Sequence, residues 1–448
     1  MARFAYGVVS LQPAFEDRPI PYLSFGNKYP SDCADHVENT VGASRVYIIA
    51  SKSLATNTDA LERLQKTLGD KVVGTRIGMT PHTLWSEILD IVNTVRPLNV
   101  DCIVTLGAGS ITDGSKIIAW ALANDISTRE DLATMWSASP TINKDLKPPT
   151  IRVIAIPTSL SGGEYQSIAG GTNDQTHEKC LFTPPARNPS LVILDPGLTT
   201  TTPSKVWLSS GVRAIDHCVE TLCSLQSNDK GDASAVKGLK ILIPSLLRTK
   251  RDPNDLDARF QSQMGVIQAM DAVGSGVPMG ASHAIGHQLG PLGVGHGETS
   301  CVMLPAVCKW NWEKDGNRER QAKCLEVLVK DEEVLKLVEA NGLDAGKMDL
   351  GDVLDLYIRA LGMPRSLQDV GVGRDKLDSL ATNALKDHWI QTNPIKITKK
   401  GQVMEILEMV VETEKKEVKV PGLQLNGHTE EHQHGPGCGH GHEHDHAH

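Results

Sequence analysis

Aromatic residues are scarce in this chain: Phe, Tyr and Trp together make up 4% of its 448 residues. Its cores must therefore be built from aliphatic side chains. An excess of cations is also missing, since 45 Lys and Arg face 54 Asp and Glu for a formal net charge of −9. No basic stripe is available to displace counterions from a phosphate backbone, so nucleic acid is not an expected partner. No stretch approaches the ~18 apolar residues of a membrane span. The opening MARFAYGVVS has no apolar segment behind a basic one, so no leader is expected and the expected setting is cytoplasmic, away from membranes. The nine cysteines, at 33, 102, 180, 218, 223, 301, 308, 324 and 438, form no CxxC pair and no regular framework. That excludes a disulfide-stapled secreted module and reads as reduced thiols. Small molecules are the expected partners.

A chain of this length exceeds one ordinary core, and two domains plus a tail are expected. Short β-branched runs at Val46 to Ala50, Cys102 to Leu106, Ile151 to Ile156 and Leu191 to Leu194 each lead into loops rich in Gly, Ser or Thr. Near-continuous apolar character predicts parallel strands covered on both faces, hence an α/β domain over residues 1–195. From Trp207 to about Val411 the spacing is helical, predicting an all-α domain over 196–425, with helix starts at Thr202-Pro203 and Asp252-Pro253. Residues 426–448 form a His-rich, low-complexity tail without apolar periodicity, expected to be disordered. Its composition suits chelation of Zn²⁺, Ni²⁺ or Cu²⁺, set against a solvated extension with only adventitious affinity.

Two loops carry the signature of a nucleotide cleft. Gly107, Ala108, Gly109, Ser110 and Asp113 follow the strand ending at Leu106 and open a helix. Glycines there admit a close backbone approach to a pyrophosphate, and the helix N-terminus supplies N–H groups and a positive end. Thr158, Ser159 and Ser161 follow the next buried strand, at the edge where ligands of open α/β sheets lie. A tight structural turn would explain either loop alone; the pair points to a cofactor. Among the histidines, His283 and His287 are four apart and share a helical face, with His217 and His296 able to join them. Three imidazoles with an open position suit Zn²⁺ or Fe²⁺, while a single buried histidine is as readily a core residue.

These residues resemble a known family. GAGSITDGSK is similar to the GGGSxxDxxK loop of iron-containing alcohol dehydrogenases, LDPGLTTTTP to their domain junction, SGVRAIDHCVE to their first ligand helix, and HAIGHQLG with GHGETSCVMLP to their remaining ligands. The order holds from about Phe25 to Asn311. The resemblance implies a dehydroquinate synthase-like fold, an α/β dinucleotide-binding domain followed by an all-α domain with the active site between them, and a homodimer. It places Gly107, Gly109 and Ser110 on the pyrophosphate, and Thr158 and Ser159 beside the nicotinamide. Ser51, Ala108, Asp113, Ser161 and Lys179 complete the cofactor-binding set. His217, His283 and His296 fall at metal-ligand positions, and His287 near nicotinamide and substrate, where it is the first candidate for proton transfer.

One departure decides the chemistry. The family's aspartate ligand, four residues before His217, is replaced by Arg213. A guanidinium cannot bind a cation and opposes one beside it, so bound Fe or Zn is set against an empty metal site. Asp216 is expected to face away from Arg213 and His217 and not to substitute. Loss of the aspartate, the short loop from Pro157 to Glu164, Gly297-Glu298-Thr299, and the Pro-rich stretch Lys179 to Asp195 resemble the maleylacetate reductase branch, whereas Asp113 resembles the alcohol dehydrogenases. In this reading Arg213 offers a fixed positive charge to a carboxylate or oxyanion, the alternative being that it pairs with Glu220 or Glu298. Ser51-Lys52 stands where many members place a ribose-binding aspartate, so NADP(H) is expected to be tolerated beside NAD(H). Other readings stay open: a conventional metal-dependent alcohol dehydrogenase, a lyase of the same fold that uses NAD transiently, and a metal-handling protein without catalysis.

Overall fold

The computed structural model describes residues 3–176 and 178–423; the His-rich tail lies outside the described residues. Strands β1 (Ser10–Pro13), β2 (Tyr22–Phe25), β3 (Val46–Ala50), β4 (Val72–Ile77), β5 (Cys102–Gly107), β6 (Arg152–Pro157) and β9 (Leu191–Leu194) form one sheet of order β1-β2-β9-β6-β5-β3-β4. All neighbours are parallel except β1 and β2. β7 (Ala169–Asn173) and β8 (Glu178–Phe182) form a separate antiparallel hairpin.

The four runs expected to be strands are strands, to within a residue. Side chains of β3 and β5 alternate between two aliphatic cores as the pleat requires, and alternate residues of β6 and β9 reach a third. Ile48, Val104 and Ile154 enter one core with Leu61 and Leu64. Ile49 and Ile103 enter the other with Ile117 and Trp120. β3 and β5 pair directly, while β4 lies outside β3 and β6 outside β5. The strand order therefore reverses between β3 and β5, and the carboxyl ends of these strands open the crevice that such a reversal creates.

Beyond Leu194 the described residues are helical or irregular. Helix Ser204–Cys223 is buried along most of its length against Asp229–Arg251, Leu256–Gly274 and His296–Glu313. Neither expected helix start is capped as read from sequence. Thr202 donates its hydroxyl to the Thr158 carbonyl (2.7 Å), and Pro203 occupies the cap position without a side-chain bond. Asp255, not Asp252, accepts the Ala258 N–H of helix Leu256–Gly274; Asp252 closes a turn with Asn254 N–H. Among the described residues no helix is long and apolar enough to cross a membrane.

Two buried cations hold the segments that face the crevice. The Lys116 ammonium, on helix Gly109–Ala123, donates to the carbonyls of Gly163 (2.9 Å), Gln166 (3.2 Å) and Ile168 (2.6 Å) and lies 3.0 Å from Asp113 Oδ1. It thereby fixes the loop after β6. In helix His296–Glu313, Pro305 has no N–H to offer the Cys301 carbonyl. The Arg365 guanidinium takes that role, donating to the carbonyls of Cys301 and Val302 while Asp355 holds its other edge at 2.7 Å.

Two predictions follow from these cations. Arg365→Met should lower the unfolding free energy by about 2 kcal/mol, since it leaves the buried Cys301 carbonyl without a donor while Arg359 keeps its ion pair with Asp355; unchanged denaturant midpoints would contradict this account. Glu164 lies beside Lys116, and burial pushes its carboxyl up from 4.5 to about 7, against the pull of Lys116. The folded state then holds a proton that the unfolded state has released, so stability falls as pH rises from about 4.5 to about 7. Glu164→Gln should gain on the parent across that window and level off above it. A constant gap in Tm between the two proteins would refute the assignment.

Candidate functional site

On the sheet side, β5 ends at Gly107 with φ +151°, a conformation open to glycine. A Cβ there would lie 2.9 Å from Ser51 Cβ, because Ser51 N–H donates to the Leu106 carbonyl (3.0 Å) and draws the ends of β3 and β5 together. Thr158 N–H donates to the Gly107 carbonyl (3.1 Å), bringing in β6. Ala108 caps helix Gly109–Ala123 without a side-chain bond, which leaves its first N–H groups for an anion. Ser159 and Ser161 share a hydroxyl contact of 2.9 Å, and Ser161 Cβ sits 3.3 Å from where Gly109 would carry a Cβ. Ser51, Gly107, Ala108, Gly109, Ser159 and Ser161 thus gather at one rim.

The other sheet-side residues lie differently. Ser110 presents its carbonyl to the Thr83 hydroxyl (3.1 Å). Both Asp113 oxygens are engaged within the protein, by Lys116 and by Gly170 N–H (3.0 Å), so Asp113 braces the β7–β8 hairpin. Lys179 rises from β8 into the cleft. Its side chain is exposed, and the protein atoms around it, with the charge of Arg213, lower its pKa against the pull of Asp113 and Asp387.

On the helical side, Arg213, Asp216, His217 and Glu220 occupy neighbouring positions of one face of helix Ser204–Cys223. Arg213 Nη1 donates to Ser300 Oγ (3.1 Å), and Ser300 donates onward to Asp216 Oδ2 (2.6 Å). Asp216 Oδ2 also accepts Ser282 Oγ (2.9 Å) and lies 3.9 Å from Arg213 Nη1. The expectation that Asp216 faces away is therefore overturned: residues three apart in a helix are neighbours. Nor does Arg213 pair with Glu298, which instead meets Lys205 at 2.7 Å. Glu220 accepts N–H bonds from Gly280 and Ser282, 2.9 Å each, at the start of helix Ala281–Leu289. It also holds His283 Nδ1 at 2.7 Å.

This arrangement sets the ionisation of the site. Burial, then the charge of Glu220, raises Asp216 to about 8, and burial raises Glu220 to about 7. Burial lowers His217 and His283 well below 6.5, and Arg213 adds to both. For His296, exposed at the mouth of helix His296–Glu313, the leading cause of a lowered pKa is Arg213 itself. His287 is lowered by burial, against the pull of Asp387; its Nδ1 lies 2.8 Å from Asp387 Oδ2, and its ring packs on Trp389 with centroids 5.1 Å apart. The imidazoles are neutral near pH 7, and the guanidinium is the fixed charge among them.

The grouping of possible metal donors differs from the three histidines expected from the sequence. His217 and His283 stack at 4.8 Å, and His217 Nδ1 and His283 Nε2 are buried without a protein partner. However, His217, His283 and His296 are not a group of described residues whose ligand atoms lie within 4.8 Å of one another. Among the described residues the group whose ligand atoms lie within 4.8 Å of one another is Asp216, Glu220 and His283. Those atoms already bond to each other and to Ser282 and Ser300, and Arg213 stands at their edge.

Sequence reasoning named Glu220 only as an ion-pair partner of Arg213 and set Asp216 aside. The i, i+3, i+7 spacing from Arg213 was the available signal for both. Ser282, Asp387 and Trp389 carry no motif, and Ser300 lies within GHGETSCVMLP without being singled out there.

Residues 22–196 match the family described as Iron-containing alcohol dehydrogenase, and residues 207–411 match Fe-containing alcohol dehydrogenase family, C-terminal. The chain is 37% identical over 411 residues to Dehydrogenase FUM7 of Gibberella moniliformis, covering 87% of this chain and 96% of that one. Maleylacetate reductase from Agrobacterium tumefaciens superposes with a TM-score of 0.66 at 25% identity, covering 92% and 98% of the two chains. Sulfoacetaldehyde reductase from Bifidobacterium kashiwanohense, solved in complex with NAD⁺, shares the fold with a TM-score of 0.72 at 20% identity, over 89% and 98%. The family patterns span both halves of the molecule, and the chain belongs to the iron-containing alcohol dehydrogenase family of oxidoreductases.

Proposed function

We propose that this dehydrogenase transfers hydride between NAD(H) or NADP(H) and a small carbonyl or unsaturated keto acid, as a maleylacetate reductase would, with Arg213 in place of a metal ion. The observation that carries this reading is the buried Arg213 guanidinium, braced by Ser300 and Asp216 within a ring of neutral imidazoles. The nucleotide lies along Gly107 to Ser110, with Thr158, Ser159 and Ser161 beside it and Ser51 at the ribose; the absence of an acidic residue at Ser51-Lys52 admits either cofactor. Residues 1–195 form the nucleotide-binding domain and 196–425 the catalytic one, with 426–448 a tail. The setting is cytoplasmic. Edge strand β1, flanked by the exposed Val8 and Val9, is the surface for a second copy.

As hydride reaches an electron-poor carbon, the displaced electron pair gathers on oxygen, where a fixed guanidinium stabilises it without reorganisation. His287 moves the proton. With Nδ1–H directed at Asp387, its Nε2 is a base at neutral pH, takes a hydroxyl proton in the oxidising direction and returns it in the reducing one. A second reading, metal-dependent alcohol oxidation, draws on the Asp216, Glu220 and His283 grouping.

Metal analysis separates the two. Protein ending at Leu425 should carry well under one equivalent of Fe or Zn and keep its NAD(P)H turnover in the presence of chelators. Stoichiometric metal together with chelator-sensitive turnover would sink the proposal. Arg213→Asp should reverse the pattern, losing about 100-fold or more of metal-free turnover and retaining Zn²⁺ through dialysis. Unchanged metal-free turnover in that variant would remove Arg213 from the chemistry.

A further inference from the structure

A strained segment joins the two halves away from the residues discussed so far. His82 and Thr83, neither of them glycine, have φ of +73° and +57°. Backbone in this region costs about 1 kcal/mol or more per residue and persists only where neighbours over-determine it. Those neighbours are present. The His82 carbonyl accepts the Thr172 hydroxyl (3.0 Å), and the Thr83 carbonyl accepts Thr172 N–H (2.9 Å). The Thr83 hydroxyl is tied to the Ser110 carbonyl in the first turn of helix Gly109–Ala123. Met79, just upstream, covers Gly114 of the same helix so closely that a Cβ there would meet its sulfur. The segment is thus clamped between the nucleotide-side helix and the β7–β8 hairpin.

The clamp aims the His82 imidazole out of the sheet half and against Gly290, the residue following helix Ala281–Leu289 with His283 and His287. A methyl group on Gly290 would lie 3.1 Å from His82 Cε1, and the three nearest atoms to it would all belong to that ring. Gly290 itself is helical, with φ −53° and ψ −51°, so its backbone does not require glycine; a Cβ there would force the His82 ring to give by a few tenths of an ångström.

We infer that His82 is a positioning residue, an interlobe latch that seats against Gly290 and holds the nucleotide-side helix at a set distance from the helix of His283 and His287. The strain at His82 and Thr83 fixes the direction of the ring, and the tie from Thr83 to Ser110 carries the position of the phosphate-side turn to the latch. A cleft held at its working width binds nucleotide without first closing, so the latch raises apparent affinity by the fraction of molecules it keeps closed. The inference rests on nucleotide lying between these loops.

The test measures NADH and NADPH affinity by nicotinamide fluorescence in the full chain, together with the small-angle scattering radius of the nucleotide-free protein. His82→Ala should weaken binding by about three- to tenfold, the weight of one packed polar contact, and enlarge the scattering radius. The KM for nucleotide should rise while kcat stays within about twofold, a split that general destabilisation would not give. Gly290→Ala, which presses on the ring from the other half, should weaken binding as well. Combined with His82→Ala it should add nothing, since the methyl then meets no ring. Unchanged or tighter binding in His82→Ala overturns the latch, as do additive effects in the double variant. If His82→Ala does not fold, Gly290→Ala alone decides, and affinity equal to the parent's overturns the latch. A parent that binds neither nucleotide refutes the cleft assignment and the latch with it, whereas a parent that binds while the variants match it refutes the latch alone.

Discussion

Carrying a guanidinium into the centre of a helical bundle costs several kcal/mol unless its neighbours return it, and the helical half is arranged around that requirement. Arg213 is buried on helix Ser204–Cys223 with Asp216 and Glu220 on the same face. Each carboxylate then reaches a second helix. Glu220 takes the first N–H groups of Ala281–Leu289 and orients His283. Asp216 takes the hydroxyls of Ser282 and Ser300, the latter in His296–Glu313. One buried cation and its two acidic neighbours therefore hold in register the three helices that carry His217, His283, His287 and His296. His296–Glu313 is interrupted at Pro305, and Arg365 repairs the break from outside, so its first turns keep their place relative to Arg213.

The sheet half answers a different constraint, the close approach of backbone to backbone at the reversal of strand order. Gly107 lies within van der Waals contact of Ser51, and Thr158 closes on Gly107 from the other side. Side chains are excluded there and polar backbone is concentrated there. Such a rim suits a charged, flat, extended ligand, and it is joined to the helical half by Leu160 N–H, which donates to Ser210 Oγ (3.0 Å), and by the His82 ring against Gly290.

What could be read from the amino-acid order follows from which interactions are local. β3, β5, β6 and β9 were legible because burial on both faces leaves continuous aliphatic runs. β4, with VVGTRI only partly buried, and the β7–β8 pair, AGGTN and EKCLF, lack that pattern and escaped. The glycine and hydroxyl loops were legible as chemistry, yet Asp113, grouped with them, spends both oxygens on Lys116 and Gly170. The helical face of Arg213 was within reach of periodicity; Asp216 was misplaced by treating adjacency to His217 as decisive and overlooking its three-residue spacing from Arg213. Asp387, Trp389 and Arg365 belong to the site or its supports through contacts distant in sequence, which no local pattern encodes.

Replacing a divalent ion by a guanidinium changes which substrates a cleft can favour. A metal organises its ligands by coordination and accepts an alcohol oxygen directly, whatever charge the rest of the substrate carries. A guanidinium has no open coordination position; it acts through directed N–H groups and a single positive charge that water cannot screen in a closed site. Here that charge is not alone, since Lys179 faces the same cleft and the lowered pKa values of Lys179 and His296 both register Arg213. On the proposed reading, these cations favour a substrate that carries a negative charge. Neutral imidazoles around the guanidinium fit this arrangement, because a protonated ring beside Arg213 would add a second repelling charge, while a neutral one is free to accept a proton from a substrate hydroxyl.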